Sequence, residues 1–303
     1  MAGPITTGSI AKALWPGVNK FFGMEYAENK QEWPMLYETE PSDKAYEEDV
    51  LVPGFGLASV KPQGEAVTYD THQQSWIARY VHVVWATGFI ITEEAMDDNK
   101  YEKLSWQRSK AIGFSMRQTK DINGANIFNR SFSTSYLGGD QQPLFSASHP
   151  TQTGNQSNSL TPAADLSEQA LEDMTIAIYL TLDDRGNKIA LKPRSLHVHP
   201  NDWFEANRIL KSVKQSGTAN NDTNALRDLG IFPEGINMNH FFSLLDAFFI
   251  RTTAKDGTKH MRRRKVRVKR DNDFDTENLK FKADERYVFG WTDWRAWYGS
   301  NGP

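Results

Sequence analysis

The chain has 303 residues and a mass of 34.4 kDa, enough for one large domain or two modest ones. Nine tryptophans, seventeen phenylalanines and ten tyrosines exclude intrinsic disorder, and the lack of cysteine excludes a disulfide framework, a thiolate nucleophile and a cysteine-ligated metal. A formal charge of −3 argues against general nucleic-acid binding, no stretch of eighteen apolar residues offers a membrane span, and the N-terminus lacks the charged-then-apolar order of a secretion signal.

The first fifty or so residues spread Trp15, Phe21, Phe22, Tyr26, Trp33 and Tyr37 among Pro16, Pro34 and Pro41. Prolines at that spacing break long elements, so this part is predicted to be an extended arm with one short helix around Ser9 to Leu14. Pro53, Gly54 and Gly56 mark a boundary, and Leu57 to Trp85 shows period-two character at Val67 and Tyr69, then Trp76, Ala78 and Tyr80. This predicts a long hairpin turning near Asp70 to Gln74, too polar to be buried and in need of a covering neighbour. No proline falls between Pro62 and Pro143, and Thr92 followed by Glu93 and Glu94 is a helix start. Thr92 to about Asn129 therefore reads as one long helix or two collinear ones, with Tyr101, Leu104, Ala111, Ile112 and Met116 on one side and Trp106 and Phe114 on another. Gly113 and Gly124 weaken it unless close packing requires them.

A polar loop, Ser146 to Asp165, separates this from a helix, strand, helix order. Asp165 with Glu168 starts a helix with the stripe Leu171, Met174 and Ile178. A turn at Asp184 to Asn187 leads to a strand through Ile189, Leu191, Leu196 and Val198, and Asp202 with Glu205 opens a helix through Leu210. After a second polar loop, Lys214 to Asn224, the run Phe241 to Ile250 reads as a core strand. Strands close the chain, first where Val266 and Val268 alternate with bases and then over Leu279 to Trp291. The whole is an α+β pattern without internal repeats.

Charge is concentrated in two blocks. Glu25 to Val50 is net −7 and includes Glu38, Glu40, Asp43, Glu47, Glu48 and Asp49; Lys259 to Arg270 holds eight bases, among them Arg262, Arg263, Arg264, Lys265, Arg267 and Lys269. Blocks of this size suit charge-complementary contacts within the fold or between subunits, or else form two solvated faces. We expect the acidic strip from Glu38 to Asp49 to meet bases such as Arg263, Lys265 and Arg267 of the same or an adjacent subunit. Asp271, Asp273 and Asp275 imitate a calcium loop, but Thr276 and Lys282 occupy the positions that need glycine and a bidentate acid. His197 and His199, two apart on a strand, could share a metal only with a third ligand that the neighbouring sequence lacks, and they read as structural histidines. His149 beside Pro150 is weaker still as a ligand. The basic run has no interleaved aromatic for base stacking, and no nucleophile elbow, phosphate loop or H-E-x-x-H motif occurs. The sequence therefore assigns no catalytic, cofactor-binding or metal-binding residue.

Taken in order, the segments ALWPGV (13–18), EEDV (47–50), PGFG (53–56), GFIITEEA (88–95), PLFSASHP (143–150), TANND (218–222) and the long C-terminal stretch 271–300 resemble the major capsid proteins of tailed bacteriophages. Within that Hong Kong 97-type fold, the chain most resembles the Mu-like major head subunit family. The resemblance implies an N-terminal arm at 1–52, an extended loop at 53–90 lying over the next subunit, a peripheral domain with a spine helix at 91–145 and an axial domain at 146–255. Residues 256–303 would return through the peripheral domain's strands and end beside the axial domain. It implies a virion protein without enzymatic activity that forms pentamers and hexamers of an icosahedral shell enclosing double-stranded DNA, with a portal and a separate scaffold protein as partners and decoration proteins as further candidates. The fusion that supplies a scaffold in some relatives has no counterpart before this arm. The cross-link of some relatives joins a lysine to an asparagine with help from a glutamate; Lys61, Asn272 or Asn278, and Glu65 are the matching residue types, but nothing in the sequence pairs them, and no cross-link is expected. The rival readings are a decoration or connector protein, a metal-dependent hydrolase using His197 and His199, and a nucleic-acid binder using Lys259 to Arg270.

Overall fold

The computed structural model describes Phe22, Gly23, Tyr26 and residues 30–71, 74–92, 94, 101–215, 222–273 and 277–302, with backbone alone at 101–106. Two four-stranded sheets organise it. In the first, β1 (Glu38–Pro41) runs parallel to the long β10 (Thr258–Asn272), which pairs antiparallel with β11 (Leu279–Trp291) and through it with β4 (Val83–Ile91). The second has the order β12 (Trp297–Ser300), β9 (Phe248–Thr252), β7 (Pro193–Val198) and β8 (Ile236–Met238). A ribbon of β2 (Tyr46–Val50) and β3 (Ile77–Val81) and a short hairpin of β5 (His149–Thr151) and β6 (Gly154–Gln156) complete the strands.

The long helix α1 (Tyr101–Asn129) lies against the first sheet. Among its described side chains, Ile112 and Met116 meet Ala283, Val266, Val268 and Phe89, Ala125 and Phe128 join the aromatic core, and Phe114 stays half exposed. The grip is completed by a buried charge. Lys120 Nζ sits 2.5 Å from Glu285 Oε1 and against the rings of Trp33 and Tyr287, at 4.8 and 5.0 Å. At Gly124 a Cβ would fall 2.9 Å from Trp33 Cβ, and the Tyr37 hydroxyl donates to the Gly124 carbonyl at 2.6 Å. The arm's turn Trp33–Met35 therefore docks on the helix where the glycine leaves room. Close packing accounts for a residue that otherwise costs about 1 kcal/mol in a helix.

In the second unit, α2 (Glu168–Tyr179) is capped by the Ser167 hydroxyl, which accepts from the Ala170 amide at 3.2 Å, two positions after the expected start at Asp165. Leu171, Met174 and Ile178 are buried as the 3-4 spacing predicts, each contributing roughly 1.5–3 kcal/mol by burial. α3 (Trp203–Lys211) and α4 (Ala225–Asp228) bring Ala206, Ile209 and Leu226 to the same core. The Ser146–Asp165 loop is pinned by His149, whose ring stacks on Trp294 at 4.4 Å and faces Asp140 Oδ2 at 2.5 Å and Asn158 Oδ1 at 3.0 Å.

Several expectations differ. Residues 51–71 and 74–76 form no strand, and the hairpin runs instead from β2 to β3, with the Leu51 amide donating to the Trp76 carbonyl and the Ser75 amide to the Leu51 carbonyl at its neck. Leu57, Val60 and Tyr69 are 84, 92 and 91% exposed, so no packing sets a pleat there. The run Phe241–Ile250 yields a strand only from Phe248; Asn129 binds the Phe241 carbonyl and the Ser243 amide, which fixes that part as a turn. Residues Ile189 and Leu191 precede β7 rather than joining it. The expected helix at Ser9–Leu14 and most of the predicted helix start after Thr92 lie outside the described residues.

Two measurements test this packing. Lys120→Met leaves the buried Glu285 carboxylate without its partner, and we expect a loss of about 3–5 kcal/mol in denaturant unfolding. Burial first, then Asp246, Asp165 and Glu205, push the Asp202 carboxyl up from its ordinary value of 3.8 to about 6. A carboxyl raised in the fold contributes stability fully below the unfolded value and loses it as pH rises through the folded one. Asp202→Asn should therefore raise the thermal midpoint at pH 7.5 and leave it nearly unchanged at pH 3.5; a shift independent of pH would contradict this.

Candidate functional site: the acidic arm and the basic strand

The parallel register of β1 on β10 sets Glu38 opposite Lys259 and Glu40 opposite Met261. Side chains alternate between the two faces of the sheet along both strands, so Glu38 and Glu40 lie on one face with Lys259 and Met261. Lys259 is the meeting point. Its ammonium lies 2.6 Å from Asp49 Oδ2, 3.0 Å from Asp256 Oδ1 and 3.4 Å from Glu40 Oε1, with the side chain 5% exposed. Burial disfavours its charge, but hydrogen bonds to Asp49 and Asp256 outweigh that and hold its pKa above the ordinary lysine value. Asp49 also accepts from the Thr292 hydroxyl at 2.7 Å, and Thr292 is 2.5 Å from the Tyr80 hydroxyl. Tyr80 itself covers Gly290, where a Cβ would meet the ring at 2.5 Å. One polar chain thus joins β2, β3, β10 and β11 at the neck of the 51–76 loop.

The other acids find partners outside the predicted basic set. Glu38 Oε1 takes Arg251 Nη2 at 3.3 Å, Glu48 Oε1 takes Arg79 Nε at 3.8 Å, and Glu47 takes Lys44 at 3.5 Å and the Ser42 hydroxyl at 2.8 Å. The Ser42 bond leads the causes that lower the Glu47 pKa. Asp43 is exposed. Among the bases, Arg264 and Arg267 both turn to Asp284, Arg267 Nε at 3.1 Å from each oxygen. Burial opposes the charge on Asp284, yet these guanidinium groups keep its pKa below the ordinary value. Arg263 donates to the Ser42 carbonyl at 3.5 Å and forms no ion pair among the described residues. Lys265 and Lys269 are exposed and form no ion pair among the described residues; Arg262, opposite Tyr287, is half-buried. Within the chain, then, the acidic strip meets Lys259, Arg251 and Arg79 rather than Arg263, Lys265 or Arg267.

That leaves Lys265 and Lys269 without an acidic partner among the described residues. Lys269 stands directly opposite Lys282, and Arg264 opposite Arg286, like-charge pairs that destabilise an isolated sheet. Sequence reasoning missed Asp284, Thr292 and Tyr80; the signal available was the period-two placement of Asp284 and Arg286 in a strand it had located correctly, Leu279 to Trp291.

The two histidines do not converge. His197 is buried against Trp297 and 2.9 Å from the Ser195 hydroxyl, with burial and then Arg251 pushing its pKa down to about 3, whereas His199 follows the strand and accepts the Asn201 amide. Among the described residues no group of three or more His, Asp or Glu side chains is placed to hold a metal, and no helix is long and apolar enough to cross a membrane. Of the imitation calcium loop, Asp275 and Thr276 lie outside the described residues, and Asp273 pairs with Lys280 at 2.5 Å.

Comparison with known proteins gives the class. Residues 78–300, almost three quarters of the chain, match the family described as phage capsid protein. The chain belongs to that family. Its fold is shared with the capsid of the cyanophage P-SCSP1u (TM-score 0.56, 11% identity, 87% of this chain and 85% of that one). It is shared also with the virus-like particle from Pyrococcus furiosus (0.53, 9%, 94% and 98%) and the procapsid of bacteriophage JBD30 (0.52, 13%, 97% and 76%). No curated protein matches by sequence. The fold is the Hong Kong 97-type α+β capsid fold, and the chain is a major capsid protein, a structural subunit of the shell whose place is the virion.

Lys259→Met removes the cation from three carboxylates at once. We expect it to unfold at lower denaturant by about 3–5 kcal/mol, with proteolysis appearing first between residues 51 and 76. Unchanged stability would show that the neck does not depend on this cluster.

Proposed function

We propose that this subunit assembles into pentamers and hexamers of an icosahedral head around double-stranded DNA, within the Mu-like group of major head subunits. The observation that carries the reading is the 51–76 loop: a long segment with Leu57, Val60 and Tyr69 almost wholly exposed, anchored at a rigid neck, in a chain of the phage capsid family. Apolar side chains held outward on a tether gain from burial only against another molecule, and repeated copies supply it. Its contacts with the body include Arg185, which donates to Asp70 at 2.5 Å and to the Thr71 carbonyl at 2.6 Å, while Asp70 also accepts from the Gly56 amide at 2.7 Å within the loop.

On this reading residues 1–52 are the arm, 53–90 the extended loop, 91–145 the peripheral domain with α1 as its spine, 146–255 the axial domain, and 256–303 the returning strands that end beside the axial domain. The role is non-enzymatic. A separate scaffold and a portal would complete the head, decoration proteins are possible further partners, and DNA would be enclosed without sequence-specific contacts. The acidic residues Asp43, Glu47 and Glu48 and the basic residues Arg263, Lys265 and Lys269, together with the remainder of the two blocks, are candidates for contacts between subunits. The like-charge rows on β10 and β11 support this, because an acidic neighbour would relieve them. Such contacts weaken with salt.

Electron microscopy with light scattering of the purified chain tests the reading. Shells, tubes, or rings of five and six are expected for the intact chain, and deletion of residues 54–71 should leave folded subunits that form none of these. A single closed ring size or a discrete trimer would point to a connector or decoration protein instead.

A further inference from the structure

Residues 33–42 of the arm lie over two buried histidines. His260, wholly buried on β10, stands opposite Thr39 in the parallel register. Its ring packs against Trp33 at 4.2 Å and beside Phe289 and Tyr287 at 4.8 and 5.6 Å. His82, between β3 and β4, is also buried, with Nε2 2.8 Å from the Ser42 hydroxyl. Trp33, Thr39 and Ser42 belong to the same stretch of chain, so one segment covers both rings.

Each ring has one buried nitrogen without a hydrogen-bond partner among the described residues, Nδ1 of His82 and Nε2 of His260. The Ser42 hydroxyl has one hydrogen, which it gives to Glu47 Oε1 at 2.8 Å, so His82 Nε2 must donate and the neutral ring leaves Nδ1 bare. A second proton would enter at that buried atom and find no acceptor. In His260 only Nδ1 has a polar neighbour, the Thr39 hydroxyl at 3.3 Å, and whichever way that bond runs the cation puts an N–H at the enclosed Nε2. The surrounding charges oppose protonation as well. Lys120 of α1, Arg262 of β10 and His82 face His260, Glu285 is taken up by Lys120, and burial keeps the Tyr287 hydroxyl uncharged. Arg286 of β11 and Arg263 of β10 stand around His82, against Glu47 of β2. Burial first, then Lys120 and Arg262, push the His260 pKa down to about 2; burial and Arg286 lead the causes that lower that of His82.

We propose that His260 and His82 form an acid-sensitive clasp on the arm: both rings stay neutral while residues 33–42 cover them, and their protonation releases that segment from the first sheet. The device belongs to the single subunit and goes beyond its place in a shell. A histidine whose folded pKa lies below its ordinary value of 6.5 stabilises the covered state above 6.5, and that contribution is lost as pH falls from 6.5 toward the folded pKa. Between pH 7.5 and 5.5, each ring that is neutral only when covered favours release by about tenfold, so the pair favours it by about a hundredfold. Carboxylates ordinarily titrate below this range, which separates the clasp from the ion pairs of the acidic strip.

The chain has no cysteine, and Leu36 is fully buried under the arm, so the thiol of Leu36→Cys reports release without background. Labelling of the full chain by dithiodipyridine is followed at pH 7.5 and 5.5 at fixed salt, each rate divided by that of a short cysteine peptide at the same pH. We expect the corrected rate to rise about a hundredfold at pH 5.5, while Leu171→Cys, buried in the second unit, labels equally slowly at both. Adding His260→Phe, which keeps the aromatic packing, or His82→Gln, which keeps a donor for Ser42, should cut the rise to about tenfold, and adding both should abolish it. The ratio is taken within each variant, so a uniform loss of stability does not disturb it. A rate that is the same at both pH values, or a rise that survives the double substitution, would overturn the proposal. Should a variant fail to fold, exchange of the ring Cε1 hydrogens and of the backbone amides in the unsubstituted chain, followed by mass spectrometry over the same range, decides instead. Both rings should titrate only in step with loss of amide protection over residues 33–42; titration near 6.5 with that segment still protected would contradict the clasp.

Discussion

The polar chain from Tyr80 through Thr292 and Asp49 to Lys259 is the junction on which the rest of the structure depends. It ties the arm, both strands at the neck of the loop and the two longest strands of the first sheet to one buried cation. A charge this enclosed is costly unless every partner is present, and here three carboxylates and two hydroxyls complete it. Because the neck is rigid, the loop beyond it can be long and unpacked without loosening the sheet. A tethered apolar surface is what a shell subunit needs in order to hold a neighbour that it meets only on assembly.

The same economy runs through the molecule. Among its described side chains α1 buries Ile112, Met116 and Phe128, and its packing is completed by Lys120 with Glu285, by Gly124 against Trp33 and by the Tyr37 hydroxyl. Buried pairs of this kind contribute specificity of register more than net stability, since an apolar replacement of both partners is often neutral. For a subunit that must present the same faces in every copy, a single well-defined packing matters more than depth of the energy well. The unit around the second sheet differs, with a conventional apolar core from Leu171, Met174, Ile178, Phe248 and Ile250.

Elements whose stabilisation is local were legible in the sequence. Leu279 to Trp291 and the Leu171, Met174 and Ile178 stripe stand where period two and period 3.6 place them, because each buries one regular face. The loop departs from its pattern for a physical reason: Val67 and Tyr69 alternate like strand residues, yet alternation makes a strand only when something packs on one face, and both side chains stay exposed among the described residues. The Phe241 to Ile250 run was misread because apolar content alone does not separate a strand from a buried turn that Asn129 fixes from a distant part of the chain. The charge blocks announced a contact but not its partners; Lys259, at the very edge of the basic run, takes the acids, and Asp284 claims two of the arginines. Long-range pairing of that kind leaves no periodic trace.

The central claim is that the 51–76 segment is completed by another copy of the chain. Amide hydrogen exchange on free subunits and on assembled particles measures this directly, residue by residue. The account predicts rapid exchange throughout the loop in the free subunit and strong protection around Leu57, Val60 and Tyr69 in the particle, with the β2 and β3 neck protected in both. Equal exchange in the two states, or a loop already protected in the free subunit, would contradict it.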